Sequence, residues 1–223
     1  IVDKPICKSY FQAKKLVSIA KKKNRLIVEA TFFNYHKQFT ETLKILKGVK
    51  NIRHISTFFI VPQPEQKSLL MSKKLSGGCF MDMAPYAAAV PRVFCYGKLL
   101  SINKNITRNK KGLIISFNIM CKFKNTTYHG FFCFGGEYKS SITFFSKDKY
   151  LEINRAFSPP INKNLEIVIN KKNKIYKKKI KKEDVFENFL RKVKFSLSKK
   201  KYNIFYDMIL EDAKFKDKII LTK

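Results

Sequence analysis

The sequence is short of negative charge: 16 acidic residues stand against 47 basic ones, which leaves a net charge of +31. It is also short of arginine, with only Arg25, Arg53, Arg92, Arg108, Arg155 and Arg191, so lysine supplies nearly all of the basic excess. A balance this basic raises nucleic acid or an anionic membrane as the partner. The forks that read phosphates and guanines are preferentially arginine, so nucleic acid is expected to meet this chain through nonspecific charge alone. Lysine comes here with abundant isoleucine and asparagine, a trio that an AT-rich genome enriches whatever the function. No window approaches the roughly 18 consecutive apolar residues of a membrane-spanning helix. Ile1-Val2-Asp3-Lys4-Pro5 lacks the layout of a secretory signal. A soluble cytoplasmic protein with no membrane partner is the expectation.

Paired cysteines are absent too. Cys7, Cys79, Cys95, Cys121 and Cys133 are odd in number, widely spaced and set in apolar runs such as Phe131-Phe132-Cys133-Phe134. They read as reduced core residues. With no C-x-x-C and no histidine at ligand spacing, no metal site is expected.

What is present is ample apolar content, 45% of 223 residues with 14% aromatic, enough for one domain with a real core. Ser9 followed by Gln12 is a capping-box pattern, and apolar positions from Phe11 to Ala20 mark a helix ending in lysines. Ile1-Val2 reads as the tail of a buried strand, and Leu26-Ile27-Val28 as a short buried strand. A second helix carries Tyr35, Phe39, Leu43 and Leu46 inward and stops at Gly48. From residue 52 the texture turns to β, with a strand to Val61, a polar loop to Ser76 and a third helical stretch over 79–96. Seven further strand candidates follow at 99–108, 113–124, 128–134, 140–145, 150–153, 165–170 and 174–180. Two helices, over 183–198 and 204–216, close the chain. Consecutive strands without intervening helices form antiparallel meanders, so the expected fold is α+β. It has a large, mostly antiparallel open sheet covered by helices on one face.

Two local features stand out. Asp82 and Tyr86 are four apart, which on a helix places a carboxylate and a phenol on one face, and Gly77-Gly78 lets the backbone turn tightly just before. Asp3-Lys4-Pro5 is a charged pair held by a proline.

Asp3-Lys4-Pro5 resembles the Glu-Lys-Pro motif of the Gfo/Idh/MocA oxidoreductases. Gly77-Gly78-x-x-x-Asp82-x-x-x-Tyr86 resembles their Gly-Gly-x-x-x-Asp-x-Gly-x-His/Tyr motif. The stretch from Glu29 to Gln38 is similar to the family's Glu-Ala-x-x-Tyr-Arg-x-His-Pro segment. Ala156-Phe157-Ser158-Pro159-Pro160 and Leu210-Glu211-Asp212-Ala213 resemble further stretches of sugar-acting members. The resemblance runs through the whole chain in order.

It implies residues 1–33 as the tail of a dinucleotide-binding Rossmann domain, its last strand-helix-strand unit, and residues 34–223 as the family's C-terminal domain. It implies a hydride moved between NAD or NADP and a sugar or sugar-nucleotide-like substrate. Lys4, Asp82 and Tyr86 take the catalytic roles by this resemblance, Lys4 and Pro5 approach the cofactor, and Asn34, His36 and Asp82 bind substrate. Hydride transfer requires a proton to move at the substrate oxygen. Tyr86 is the candidate, with the Lys4 ammonium expected to lower its phenol from near 10. A homo-oligomer through the exposed sheet face is expected. The sequence departs from the family at several points. No Gly-x-Gly-x-x-Gly turn is present to hold the dinucleotide phosphates. Ala84-Pro85 replaces a glycine position, Pro91 is expected to kink or shorten the third helix, Leu69-Leu70 stands where many members carry arginine, and Asn34 replaces an arginine. Two other functions fit the same scaffold: a basic, non-catalytic binding module, or an inactive partner subunit of a complete homologue.

Overall fold

Ser9 opens α1 (Tyr10–Lys22) in the expected way: its hydroxyl accepts from the Gln12 amide at 3.3 Å, and the Gln12 side chain accepts from the Lys8 amide at 3.0 Å. The buried stripe Ala13, Val17 and Ala20 clusters with Tyr206, Ile209 and Ala213 of the last helix, α5 (Asn203–Leu221). The structure, a computed structural model, describes residues 1–74 and 77–221. Leu75 and Ser76, the end of the expected polar loop, lie outside the described residues.

A short 3-10 turn, Phe33–Tyr35, leads into α2 (Lys37–Ile45), and α4 (Val185–Ser198) lies against that turn. The sheet has eight strands: β1 (His54–Val61), β2 (Leu99–Arg108), β3 (Ile114–Phe123), β4 (Thr127–Phe134), β5 (Lys139–Phe145), β6 (Tyr150–Asn154), β7 (Leu165–Lys171) and β8 (Lys174–Ile180). Their spatial order is β2-β3-β4-β1-β5-β6-β7-β8. Every pairing is antiparallel except β1 with β4, so the first strand in sequence lies in the middle of the sheet.

Side chains alternate across each strand, so one face gathers the core. Ile55 and Phe59 of β1, Phe117 and Ile119 of β3, Tyr128 and Phe132 of β4 and Ile142 and Phe144 of β5 are all buried there. The rings of Phe117 and Phe132 stack at 4.8 Å between centroids; such a pair adds about 0.5–1.5 kcal/mol beyond its burial. α3 (Cys79–Phe94) covers this face against β3 and β4, and its buried Ala84, Ala87, Ala88 and Ala89 let the backbone come close. The opposite face leaves Phe58, Met120, Phe145 and Tyr150 exposed.

The α+β architecture with its one-sided helical cover is as expected. Three details differ. Leu26-Ile27-Val28 is not a strand: Val2 meets Glu29 in a single parallel bridge, with the Val2 amide donating to the Val28 carbonyl at 2.9 Å. Asp3-Lys4-Pro5 turns the chain away immediately afterwards, and proline brings no N–H to extend a ladder. Of the expected strand-helix-strand unit, the helix is α1 and the strands are reduced to that bridge. Ile1 and Val2 are exposed rather than buried. α3 runs through both Pro85 and Pro91 and ends at Phe94, two residues before the expected end.

Candidate active site

Gly77 and Gly78 set the direction of α3. A Cβ on Gly77 would lie 2.6 Å from the Leu70 carbonyl oxygen, and Gly78 holds φ at 105° while its amide donates to the same carbonyl at 2.7 Å. Only glycine tolerates that approach and that backbone together. The helix therefore begins with Asp82 in its first turn and Tyr86 one turn on, facing the segment that the Val2 bridge anchors.

Lys4 arrives from that segment. Its ammonium donates to the Asp82 carbonyl at 2.8 Å and to the Asp82 carboxylate, and it lies over the Tyr86 ring at 5.2 Å from the centroid. The Lys4 amide donates to the Asp3 carboxylate at 2.8 Å, which fixes the turn. The Lys4 and Asp82 side chains are 15% and 20% exposed, so the pair is sheltered and yet reachable from solvent. Residues 78 positions apart thus meet at one point.

Tyr86 is enclosed by rings: Phe33 at 5.6 Å, Phe59 at 5.2 Å and Phe157 at 5.3 Å between centroids. Burial in this cage pushes its phenol well above the ordinary value, and the carboxylates of Asp82, Asp3 and Glu29 push the same way. The expectation that Lys4 would lower it is therefore corrected. The ammonium lies over the ring face, and the Asp82 carboxylate bonded to it opposes its effect. At neutral pH the phenol holds its proton.

The aromatic cage was not anticipated as part of the site. Phe157 lies in the Ala156-to-Pro160 stretch and Phe33 in the Glu29-to-Gln38 stretch, so both were close to quoted motifs. Only the fold shows that they converge with Phe59 of β1. The same loop brings Ser158 to a short hydroxyl contact with Tyr138, whose ring lies 4.6 Å beneath the Arg155 guanidinium.

Asn34 and His36 are placed differently. The turn that carries Asn34 delivers Phe33 to the Tyr86 cage, while the Asn34 side-chain oxygen is buried without a hydrogen-bond partner. His36 is 1% exposed and caps α2, its Nδ1 accepting from the Gln38 amide at 3.2 Å and its Nε2 lying 3.8 Å from Glu183. Burial lowers its pKa, with Lys37 acting the same way and Glu183 opposing. Its polar atoms face α2 and Glu183 and make no contact with Lys4, Asp82 or Tyr86.

Six residues beyond Tyr86 on α3, Arg92 forms a two-pronged ion pair with Asp212 of α5, Nε to Oδ1 at 2.7 Å and Nη2 to Oδ2 at 3.2 Å. Burial raises the Asp212 carboxyl to about 6 although Arg92 opposes it. The pair locks the helix that carries Asp82 and Tyr86 onto α5.

No protein-family model matches the chain. Its fold is that of the C-terminal domain of the Gfo/Idh/MocA oxidoreductases, as the motifs led one to expect. Among solved structures it is similar to a 3-ketoreductase from Actinomadura kijaniata in complex with NADP and TDP-benzene, at 19% identity and a TM-score of 0.92 over 98% of this chain and 69% of that one. It is also similar to an aldose-aldose oxidoreductase from Caulobacter crescentus, at 14% identity and a TM-score of 0.86 over 98% of this chain and 68% of that one. Among curated proteins it matches dTDP-3,4-didehydro-2,6-dideoxy-alpha-D-glucose 3-reductase of Saccharopolyspora spinosa, 23% identical over 176 residues. That match takes in 77% of this chain and 53% of the relative, and the chain spans about half the length of the curated relatives it matches.

Proposed function

We propose that the chain is the substrate-side portion of an NAD(P)-dependent oxidoreductase that reduces a ketone of a sugar or sugar-nucleotide substrate. The observation that carries the reading is the meeting of Lys4, Asp82 and Tyr86, a hydrogen-bonded ammonium–carboxylate pair against a protonated phenol in an aromatic cage. In this reading residues 1–33 form the end of a dinucleotide-binding unit whose phosphate-holding turn is supplied from outside these 223 residues.

The residues fit the nicotinamide end of such a cofactor. An ammonium has three donors, and Lys4 spends two on Asp82, leaving one for a ribose or substrate oxygen. Lys4 and Pro5 would hold that end. A bound reduced nicotinamide would supply the hydride. Lys4 places positive charge where a carbonyl oxygen gathers negative charge, and Asp82 holds the ammonium in place. Tyr86, kept protonated by its surroundings, donates the phenolic proton as that oxygen becomes a hydroxyl. Asp82, one-fifth exposed, also accepts from a substrate hydroxyl.

The open sheet face belongs to the same proposal. Phe58 of β1 packs edge-on to His129 of β4 at 6.3 Å, and with Met120, Phe145 and Tyr150 it leaves an apolar surface that a second copy of the chain covers. Five free thiols favour a reducing, cytoplasmic setting.

The test is turnover by the native gene product, with reduced NADP and a 3-keto dTDP-sugar, followed by nicotinamide absorbance. Substrate-dependent oxidation that Tyr86→Phe lowers by about 10²–10⁴ supports the reading. A wild-type protein that turns over no 3-keto sugar or sugar nucleotide with either cofactor overturns it.

A further inference from the structure

At the far end of β1 from the Lys4 cluster, three loops line a solvent-open cavity of about 410 Å³. The turn after α2 contributes Lys47 and Lys50, the approach to β1 contributes Arg53, the β5–β6 hairpin contributes Lys147 and Lys149, and β7 ends on it with Lys171. Among the described residues one carboxylate lines it, Asp148, at 3.3 Å from Lys149 and 3.9 Å from Lys171. Lys50 lies over the Tyr96 ring at 5.3 Å, and Lys47, Arg53 and Lys147 meet no carboxylate among the described residues.

These cations are presented by hydrogen-bonded loops rather than loose chain. The Asn51 side-chain amide donates to the Leu46 and Lys47 carbonyls, each at 2.9 Å. The Arg53 amide donates to the Phe145 carbonyl at 2.8 Å, tying the start of β1 to the hairpin, and the Ser146 hydroxyl donates to the Lys149 carbonyl at 2.9 Å across its tip. Lys149 is only 14% exposed. Six cations around one carboxylate repel one another, and a concave wall of one sign focuses field and concentrates anions. A volume of this size lies within the range of small-molecule sites, roughly 300–1,000 Å³.

We propose that this cavity binds a compact oligophosphate, an anion carrying three or more charges in a short chain. It is separate from the oxidoreductase site. Phe59, which touches Tyr86, stands five residues along β1 from His54, roughly 17 Å at about 3.3 Å per residue.

Inorganic tripolyphosphate titrated into the full chain by calorimetry, at a fixed ionic strength of about 0.15 M, tests the proposal. Saturable binding of one anion per chain, at least ten-fold tighter than orthophosphate, is the expected result. Arg53→Gln with Lys147→Gln should weaken it at least ten-fold. Lys15→Gln with Lys22→Gln removes the same charge from the exposed side of α1 and should change it less than two-fold. Lys147→Gln alone, at an exposed hairpin tip, gives the same order of effect if the double variant does not fold. Equal losses from the α1 and cavity variants would overturn the proposal in favour of overall charge. So would a single-stranded oligonucleotide that binds more tightly than tripolyphosphate per phosphate group, in favour of a nucleic-acid surface.

Discussion

Tyr86 holds its proton because three rings and three carboxylates surround it, and this sets a pH dependence that depends on direction. A folded phenol above its ordinary value near 10 is a competent acid throughout the neutral range. In the proposed reaction the reductive kcat is expected to stay flat from neutral pH through about 10 and to fall only at higher pH, while the oxidative kcat, which needs the phenolate, rises throughout that range. Rate profiles in both directions check this, and a reductive rate that falls near pH 8 would rule out Tyr86 as the acid. Tyr86→Phe should lower turnover by about 10²–10⁴. Lys4→Met should lower kcat by about 10²–10³ with its circular dichroism unchanged, since the lost charge acts on the developing oxyanion. That Asp82 and Tyr86 share a helix face could be read from their spacing, four apart, whereas the meeting of Lys4 with Asp82 across 78 positions is visible only in the fold. The Tyr86 pKa could not, because it depends on Phe33, Phe59 and Phe157, drawn from three distant segments whose convergence no local pattern encodes.

At the scale of elements, the Arg92–Asp212 pair joins α3 to α5 where the two side chains are 11% and 7% exposed and largely removed from water. Arg92→Ala should therefore cost about 3–5 kcal/mol, much of it from a buried Asp212 left unpaired. Replacing both residues, Arg92→Met with Asp212→Leu, should cost less than Arg92→Ala alone. Urea unfolding of the single and double variants measures the difference, and additive losses would refute the coupling. Strand and helix positions were legible throughout β2 to β8 because alternation and turn residues are strong there. Leu26-Ile27-Val28 misled because three β-prone residues carry no information about whether a neighbour strand exists. α3 accommodates both Pro85 and Pro91 because its packing between the sheet and α5 outweighs the hydrogen bond that each proline removes.

For the whole molecule, a net charge of +31 means that folding compresses mutually repelling lysines. Salt should stabilise it. A screening gain of about 1 kcal/mol raises Tm by about 2–4 °C for a chain of this size. Raising sodium chloride from about 20 to about 200 mM shortens the screening length enough to produce it. Scanning calorimetry reads the shift, and a Tm independent of salt would show the charges to be already compensated. For the proposed pairing of two copies through the open sheet face, light scattering should give a larger species for the unaltered protein and a monomer for Phe58→Glu, and a monomer for both would refute it. The central position of β1 has a consequence for synthesis. His54 pairs with Thr127, 73 residues later, so at about 5–20 residues per second β1 leaves the ribosome several seconds before β4 exists to pair with it. Throughout that interval a strand reading His-Ile-Ser-Thr-Phe-Phe-Ile-Val has both edges open, a template for pairing with other chains that a chaperone would shield.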